Sequence, residues 1–381
     1  MLAELSDARR AACFRADEIV PSAAADLEPH LTKNLTAAAH YPEDAQLQPV
    51  LAARRCPPRP SPPLQDRREA LSPHLDAMTS FRLADRQLGG GHVYPSLLAY
   101  LRTEVASSLI GLGSVQGAEA FRDAAVLTEM AGWMAHDSGR DDVAQGHFTS
   151  ALSFGQAAAD PSVAANVEAG MSHLALQEGH ADQALDLARS GLARLRATES
   201  VPVLSARLHA MKARSLARLG YAKQAQHSLD SARAELAAAD TASVLNWVAP
   251  FDDAALASEA ASILFDLRMF PAATEEATRA LELRDASRAR SRALRQITLA
   301  RSLIAQGQLE AACVVTHDLL AACQSLGSVR VSRDLVDLQT VLEPYASSSR
   351  PVKEMLDRLT GVARHRRLLL ASLTAAEGPQ V

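Results

Sequence analysis

The sequence predicts an all-α fold: a right-handed superhelical solenoid of about five helical hairpins, preceded by a helical N-terminal extension. Three observations carry that expectation. The apolar content is aliphatic, 48% hydrophobic against 4% aromatic over 381 residues, a mixture that packs helices closely and makes poor β-sheet. A helical-hairpin pattern recurs between about Phe121 and Leu326. In each copy a turn residue is followed by small or apolar residues at similar offsets.

In the clearest copy Gly132 lies in the first helix, Ser138-Gly139 makes the turn, and Ala144, Phe148 and Ala151 lie in the second. A small residue lets the two helices approach, the glycine opens the turn, and the alanine, aromatic and alanine lock the second helix onto the next unit. Those offsets match the tetratricopeptide pattern. With the turn as ruler, the template falls on Gly179 with Ala184 and Ala188, on Gly220 with Ala225, Leu229 and Ala232, and on Gly307 with Ala312 and Leu319. A degenerate copy puts Met269-Phe270-Pro271 at the turn, followed by Thr274, Thr278 and Leu281.

Taken in order, residues 1–63 hold two short helical stretches, 5–19 and 26–39, broken at Val20-Pro21 and Tyr41-Pro42. A proline-rich run from Arg54 to Pro63 follows, and it reads as a polyproline-type spacer rather than as a ligand for an aromatic-lined groove. Residues 64–120 form a helical N-terminal cap. Its first helix, 64–88, restarts at Pro73, keeps Leu71, Leu75, Met78 and Leu83 near one face, and stops at Gly89-Gly90-Gly91. A second helix is expected over 95–110, with Pro95 in its first turn and Gly111 beyond its end.

The repeats occupy 121–345, with a break at 241–253 around Asn246-Trp247. Asp252 or Asp253 reads as a helix N-cap there rather than a metal ligand. After a helix over 329–342, residues 346–381 supply a capping helix and tail, with Leu356, Leu359, Val362 and Leu370 on the capping helix. A solenoid needs such an end, because its last unit has no neighbour to cover it.

Composition excludes several classes. A formal charge of −5 argues against a general binder of nucleic acid or anionic membranes. Cys13, Cys56, Cys313 and Cys323 form no C-x-x-C pair, which removes zinc-ribbon and dithiol chemistry and suits a reducing, cytoplasmic setting. No apolar window suggests a signal peptide or a spanning helix, so no membrane association is expected. The glycine runs at Gly89 and at Gly111 to Gly117 lack a preceding strand or a lysine-serine ending, so they read as linkers rather than phosphate loops. Hydrolase, metalloprotease and kinase motifs are absent, and Arg364-His365-Arg366-Arg367 reads as a solvated face. The expectation is a protein that is not an enzyme and needs no metal or cofactor.

Function is then sought in the concave groove. Placing the small residue of the first helix at the eighth repeat position sends Glu129, Trp133 and His136 to the groove from the first copy, with Asp137 beside them. The second copy sends Asn166, His173 and Gln177, the third Arg214 and Arg218, the fourth Glu259 and Asp266, and the fifth Arg301. A groove cationic and amide-rich in its middle, with an aromatic wall at one end, suits an extended peptide, a protein segment or a carboxylate. The alternative is that these side chains are solvated or satisfy one another. Groove binding predicts that Arg214→Glu with Arg218→Glu removes ligand binding and leaves helicity and melting unchanged.

Several segments together carry a family resemblance. Trp247, Phe251-Asp252, Ala254, Leu256-Ala257, Glu259-Ala260, Ala280-Leu281, Leu283-Arg284, Ser291-Arg292-Ala293-Leu294 and Gly307 resemble the C-terminal half of actinobacterial tetratricopeptide-type transcriptional regulators. Gly89-Gly90-Gly91-His92-Val93-Tyr94-Pro95 and the helix after Ser328 resemble the same group, over about 73–359. The resemblance implies a regulatory scaffold in control of development or secondary metabolism, with the repeats as sensor. Members commonly begin with an Xre-type helix-turn-helix, whereas residues 1–63 show no recognisable one. A second reading keeps direct DNA contact, through Arg9, Arg10, Arg15, Arg54, Arg55 and Arg59 of the basic N-terminus.

Overall fold

The computed structural model describes residues 73–110, 117–196, 201–239, 247, 251–283, 288–323 and 326–375. The helices and proline run expected over 1–63 lie outside the described residues. All regular elements among the described residues are helical. Helix α1 spans Pro73–Leu88, and α2 spans Gly90–Tyr100, running into a π-helical turn at Leu101–Val105 and the short α3, Ala106–Leu109.

The hairpins follow as α4 (Ala118–Asp137) with α5 (Asp141–Ala157), α6 (Pro161–Gln177) with α7 (Ala181–Leu195), and α8 (Pro202–Arg218) with α9 (Ala222–Ala237). Next come α10 (Asp253–Asp266) with α11 (Phe270–Glu282), and α12 (Ala289–Ala305) with α13 (Leu309–Ala322). At the end α14 (Val329–Leu342) packs against α15 (Arg350–Ala375), so the expected capping helix completes a further pair.

Local chemistry explains the hairpins. Gly139, Gly179, Gly220 and Gly307 each adopt a left-handed φ, between 73 and 86°, just past the end of a first helix, where a residue with a Cβ is strained. Second helices then bury the expected positions: Ala144, Phe148 and Ala151 are fully covered, as are Ala184 and Ala188, and Ala225 and Ala232. Helix starts are capped by Asp160, Asp252 and Ser328, whose side chains accept backbone amides two or three residues on. Asp252, rather than Asp253, is therefore the cap at the start of α10.

Four expectations need correction. In the degenerate repeat the left-handed residue is Arg268, with φ 60°, so the turn sits one residue earlier than Met269. Ala273, Ala277 and Ala280 consequently fill the buried positions, and Thr274, Thr278 and Leu281 do not. Helix α2 starts at Gly90, which leaves Pro95 inside it. The glycine run is a packed helix start rather than a linker, since a Cβ on Gly90 would lie 2.8 Å from the Cα of Met134. Arg366 is fully buried rather than solvated, with its guanidinium donating to the carbonyls of Cys323 and Ser328 and to the Ser332 hydroxyl.

The first helix of each pair packs against the first helix of the next, from α4 through α6, α8, α10 and α12 to α14. The second helices lie outside this inner layer. Helix α14 in turn packs against α4, so the layer returns to its start. Asp137, at the end of α4, is the centre of that closure. Its carboxylate accepts from the Gly90 amide at 3.0 Å, Arg290 at 3.0 Å and the Ser328 hydroxyl at 2.6 Å. Arg290 also grips Asp85 of α1 through two bonds of 2.7 and 2.8 Å, and the Gly327 amide donates to the Leu88 carbonyl at 3.2 Å. No helix among the described residues is long and apolar enough to cross a membrane.

Candidate ligand-binding site in the inner layer

The inner helices carry the candidate groove residues because their outward faces are spent on packing the second helices. Glu129, Trp133, His136, Asn166, His173 and Arg214 belong to one continuous network. The Glu129 carboxylate accepts from Asn166 and from the Trp133 indole at 3.3 Å, and pairs with Arg207 at 3.8 Å. Arg207 also donates to the Asn166 carbonyl oxygen at 2.8 Å. The Trp133 ring meets His136 and His173 edge-on, at centroid distances of 6.2 and 5.2 Å, and packs on Phe148 at 5.2 Å. His173 lies 3.8 Å from Glu259, which accepts from Arg214 at 3.0 Å.

Arg218 and Arg301 stand apart from that network. Arg218 is exposed and pairs with Asp266 at 2.7 Å. Arg301 is half-buried, with its guanidinium over the Phe265 ring at 5.1 Å. Most of the groove residues therefore satisfy one another, as the alternative sequence reading describes. The Arg214–Glu259 pair also changes the expected mutational outcome: Arg214→Glu would set two carboxylates together in a nearly dry place, so it cannot leave stability untouched.

The electrostatics of the layer follow from burial. Burial raises the Glu129 carboxyl above its usual range, opposed by the charge of Arg207 and the bonds from Trp133 and Asn166. The imidazole of His173 is held well below its ordinary value by burial and by the nearby Arg214, Arg330, His136 and Arg207. His136 is also lowered, burial outweighing its 2.8 Å bond to Asp141. Both histidines are neutral near pH 7 by these effects.

Several residues of the layer escaped the repeat template. Arg207 belongs to α8 yet reaches the α4 and α6 carboxylate and amide. Arg82 of α1 donates to the Trp247 carbonyl, and its charge acts on Glu129 and Arg207. Helix α1 thus reaches the inner layer at Glu129 and again at Arg290. Arg330 and Asp334 enter from α14, which lies beyond the expected last repeat. The signal for them was available: α14 follows the fifth hairpin at the usual spacing, and treating it as a sixth first helix would have sent Arg330 inward.

No family model and no curated protein matches the chain. Among solved structures, the TPR2AB domain of yeast Sti1, in its pHSP90 complex, aligns at 14% identity over 71% of this chain and 99% of that one. The TM-score is 0.21, and a likeness at that level carries no argument about this chain. Among the described residues the chain displays an all-helical array of tetratricopeptide-like hairpins.

Proposed function

We propose that the protein is a non-catalytic regulatory scaffold that holds an extended segment of a peptide or protein partner against its inner layer. One observation supports this above the others: the layer keeps polar atoms that are buried yet lack a hydrogen-bond partner. His136 Nε2 and the Nε atoms of Arg214, Arg301 and Arg330 are all in this state. Buried donors and acceptors without partners cost about 1–3 kcal/mol each, and a ligand that satisfies them recovers that cost on binding. Trp133 beside His136 and His173 adds a flat apolar surface for a side chain of the partner.

The role in transcriptional control, and the cytoplasmic setting, rest on the resemblance of residues 73–359 and on the cysteine pattern. The partner is then a regulator or a signalling peptide. The experiment is selection from a displayed random-peptide library on the full-length chain, followed by affinity measurement on Arg218→Gln with Arg301→Gln. These two substitutions remove inner-layer donors without placing like charges together. Selected peptides that bind both this double variant and Arg330→Gln as tightly as the wild type would put binding outside the inner layer and defeat the proposal.

A further inference from the structure

Arg330 lies in the first turn of α14, where that helix meets α4. Its Nε is buried without a partner, and none of the ion pairs among the described residues includes its guanidinium. Two of the acids around it are engaged elsewhere, and the third, Asp334, favours its charge without forming an ion pair with it. Asp137 takes Arg290, Ser328 and the Gly90 amide, while Glu259 takes Arg214 and His173. Asp334, one turn along α14, is raised above its usual range by burial, even with the charges of Arg330, Arg301 and Arg214 acting on it.

Other groups converge on the same place. His136 is 5% exposed, and its Nδ1 meets Asp141 at 2.8 Å, which sets the proton on Nδ1 and leaves Nε2 as a buried lone pair without a partner. Arg214 is 7% exposed and its Nε is likewise unpartnered. Arg214, Arg330 and Arg207 all act on His173, against the single nearby carboxylate of Glu259, which Arg214 already takes. Guanidinium groups crowded where water barely reaches are costly unless an anion joins them.

We propose that this place, between α4, α6, α8 and α14, binds an oxyanion, a carboxylate or phosphate group, with Arg330 as main donor and Arg214 and His136 beside it. The inference deepens the scaffold reading and rests on it, since the oxyanion is the group by which the inner layer recognises its ligand. A guanidinium presents two N–H groups in a fork that matches two oxygens of such a group. The bare Nε2 of neutral His136 cannot donate, so binding draws one proton from solvent onto it, after which the ring donates both to Asp141 and to the ligand.

Every group facing His136 bears on that step. Asp141 of α5 and Asp137 of its own helix favour the proton, burial and Arg330 of α14 oppose it, and Trp133 and His173 supply the rest of the wall. The ligand's charge offsets that of Arg330 and tips the balance. Because α4 and α14 begin and end the inner layer, the site is assembled only when the Asp137 closure is made.

The test is calorimetric titration of the full-length chain near pH 7 with inorganic phosphate and, separately, with an N-acetylated, C-amidated hexaglutamate peptide. Each titration is run in two buffers of different ionisation enthalpy. At least one probe should bind one-to-one with net proton uptake. Arg330→Gln should weaken binding about tenfold or more without lowering the thermal midpoint, because Arg330 holds no ion pair to lose and its buried charge is itself costly. Asp334→Asn should tighten binding, since it removes a competing carboxylate.

Phosphate binding alone assigns the site to a free oxyanion, and peptide binding alone assigns it to an acidic segment of a partner. Binding of neither probe, or equal binding by Arg330→Gln, overturns the inference. Library peptides that lack acidic residues and still need Arg218 and Arg301 would overturn it too, while leaving the scaffold reading intact.

Discussion

Removal of the Asp137 carboxylate should open the contact between the two ends of the inner layer. In Asp137→Ala three hydrogen bonds to a buried, charged acceptor disappear, from the Gly90 amide, Arg290 and the Ser328 hydroxyl. Bonds to charged groups contribute about 1.5–3 kcal/mol each. Two effects reduce their sum: Arg290 keeps its double bond-pair to Asp85, and the cost of burying the Asp137 charge is itself relieved. A net loss of about 3–5 kcal/mol follows. An array of repeats opens locally as well as globally, so the assay is hydrogen exchange at the Gly90 amide and along the first turn of α14, beside urea unfolding followed by circular dichroism.

The variant should also lose part of the acid sensitivity. Burial alone would raise the Asp137 carboxyl, but Arg290, Ser328 and Gly90 together hold it below its ordinary value. A carboxyl depressed in the folded state stabilises above its unfolded value, near pH 4, and that contribution is lost as pH falls through the folded value. Wild type should therefore show an acid loss that Asp137→Ala lacks. Unchanged exchange at Gly90 and an unchanged urea midpoint would refute the closure as described.

Other consequences are smaller or more local. Arg333→Ala should cost under about 1 kcal/mol in urea unfolding, because its pair with Asp141 is exposed on the arginine side; a larger loss would make the rim, not Asp137, the fastening point. Arg268→Gly should stabilise by up to about 1 kcal/mol, since it relieves a non-glycine residue held at φ 60° in a first-to-second helix turn, and a lowered thermal midpoint would contradict this. His147 is half-buried, bonded through Nε2 to Tyr94 at 2.8 Å, and pushed down to about 4 by partial burial and by Arg140 and Arg102. Its depressed value contributes stability above pH 6.5 that is lost as pH falls through about 4, and its ring resonances in nuclear magnetic resonance should titrate there rather than near 6.5.

The hairpins were legible because each turn needs a left-handed residue and each second helix needs small residues to approach its neighbour. Both requirements appear at fixed offsets in one sequence. The slip at Arg268 shows the limit: the backbone took the left-handed state without glycine, so a ruler built on the residue type landed one position late. Pro95 was misread for a related reason, because packing of Gly90 against α4 overrides the preference of proline for a first turn.

The groove was legible as a set of faces but not as a set of contacts. Template positions brought Glu129, Trp133, His136, Asn166, His173 and Arg214 together, yet nothing in their spacing said that Arg207 would reach across two helices or that Glu259 would neutralise Arg214. Least legible was the closure. Asp137, Arg290 and Ser328 lie 153 and 191 residues apart along the chain, and only the accumulated rotation of successive hairpins brings them within hydrogen-bond distance.

The most direct test of the central claim is hydrogen exchange of the full-length chain with and without a library-selected peptide. The scaffold account predicts added protection along α4, α6, α8, α10, α12 and α14, with α5, α7, α9, α11 and α13 unchanged. Protection confined to the second helices, for example around the outer cleft formed by Gln226, Arg233, Met269 and Glu276, would contradict it.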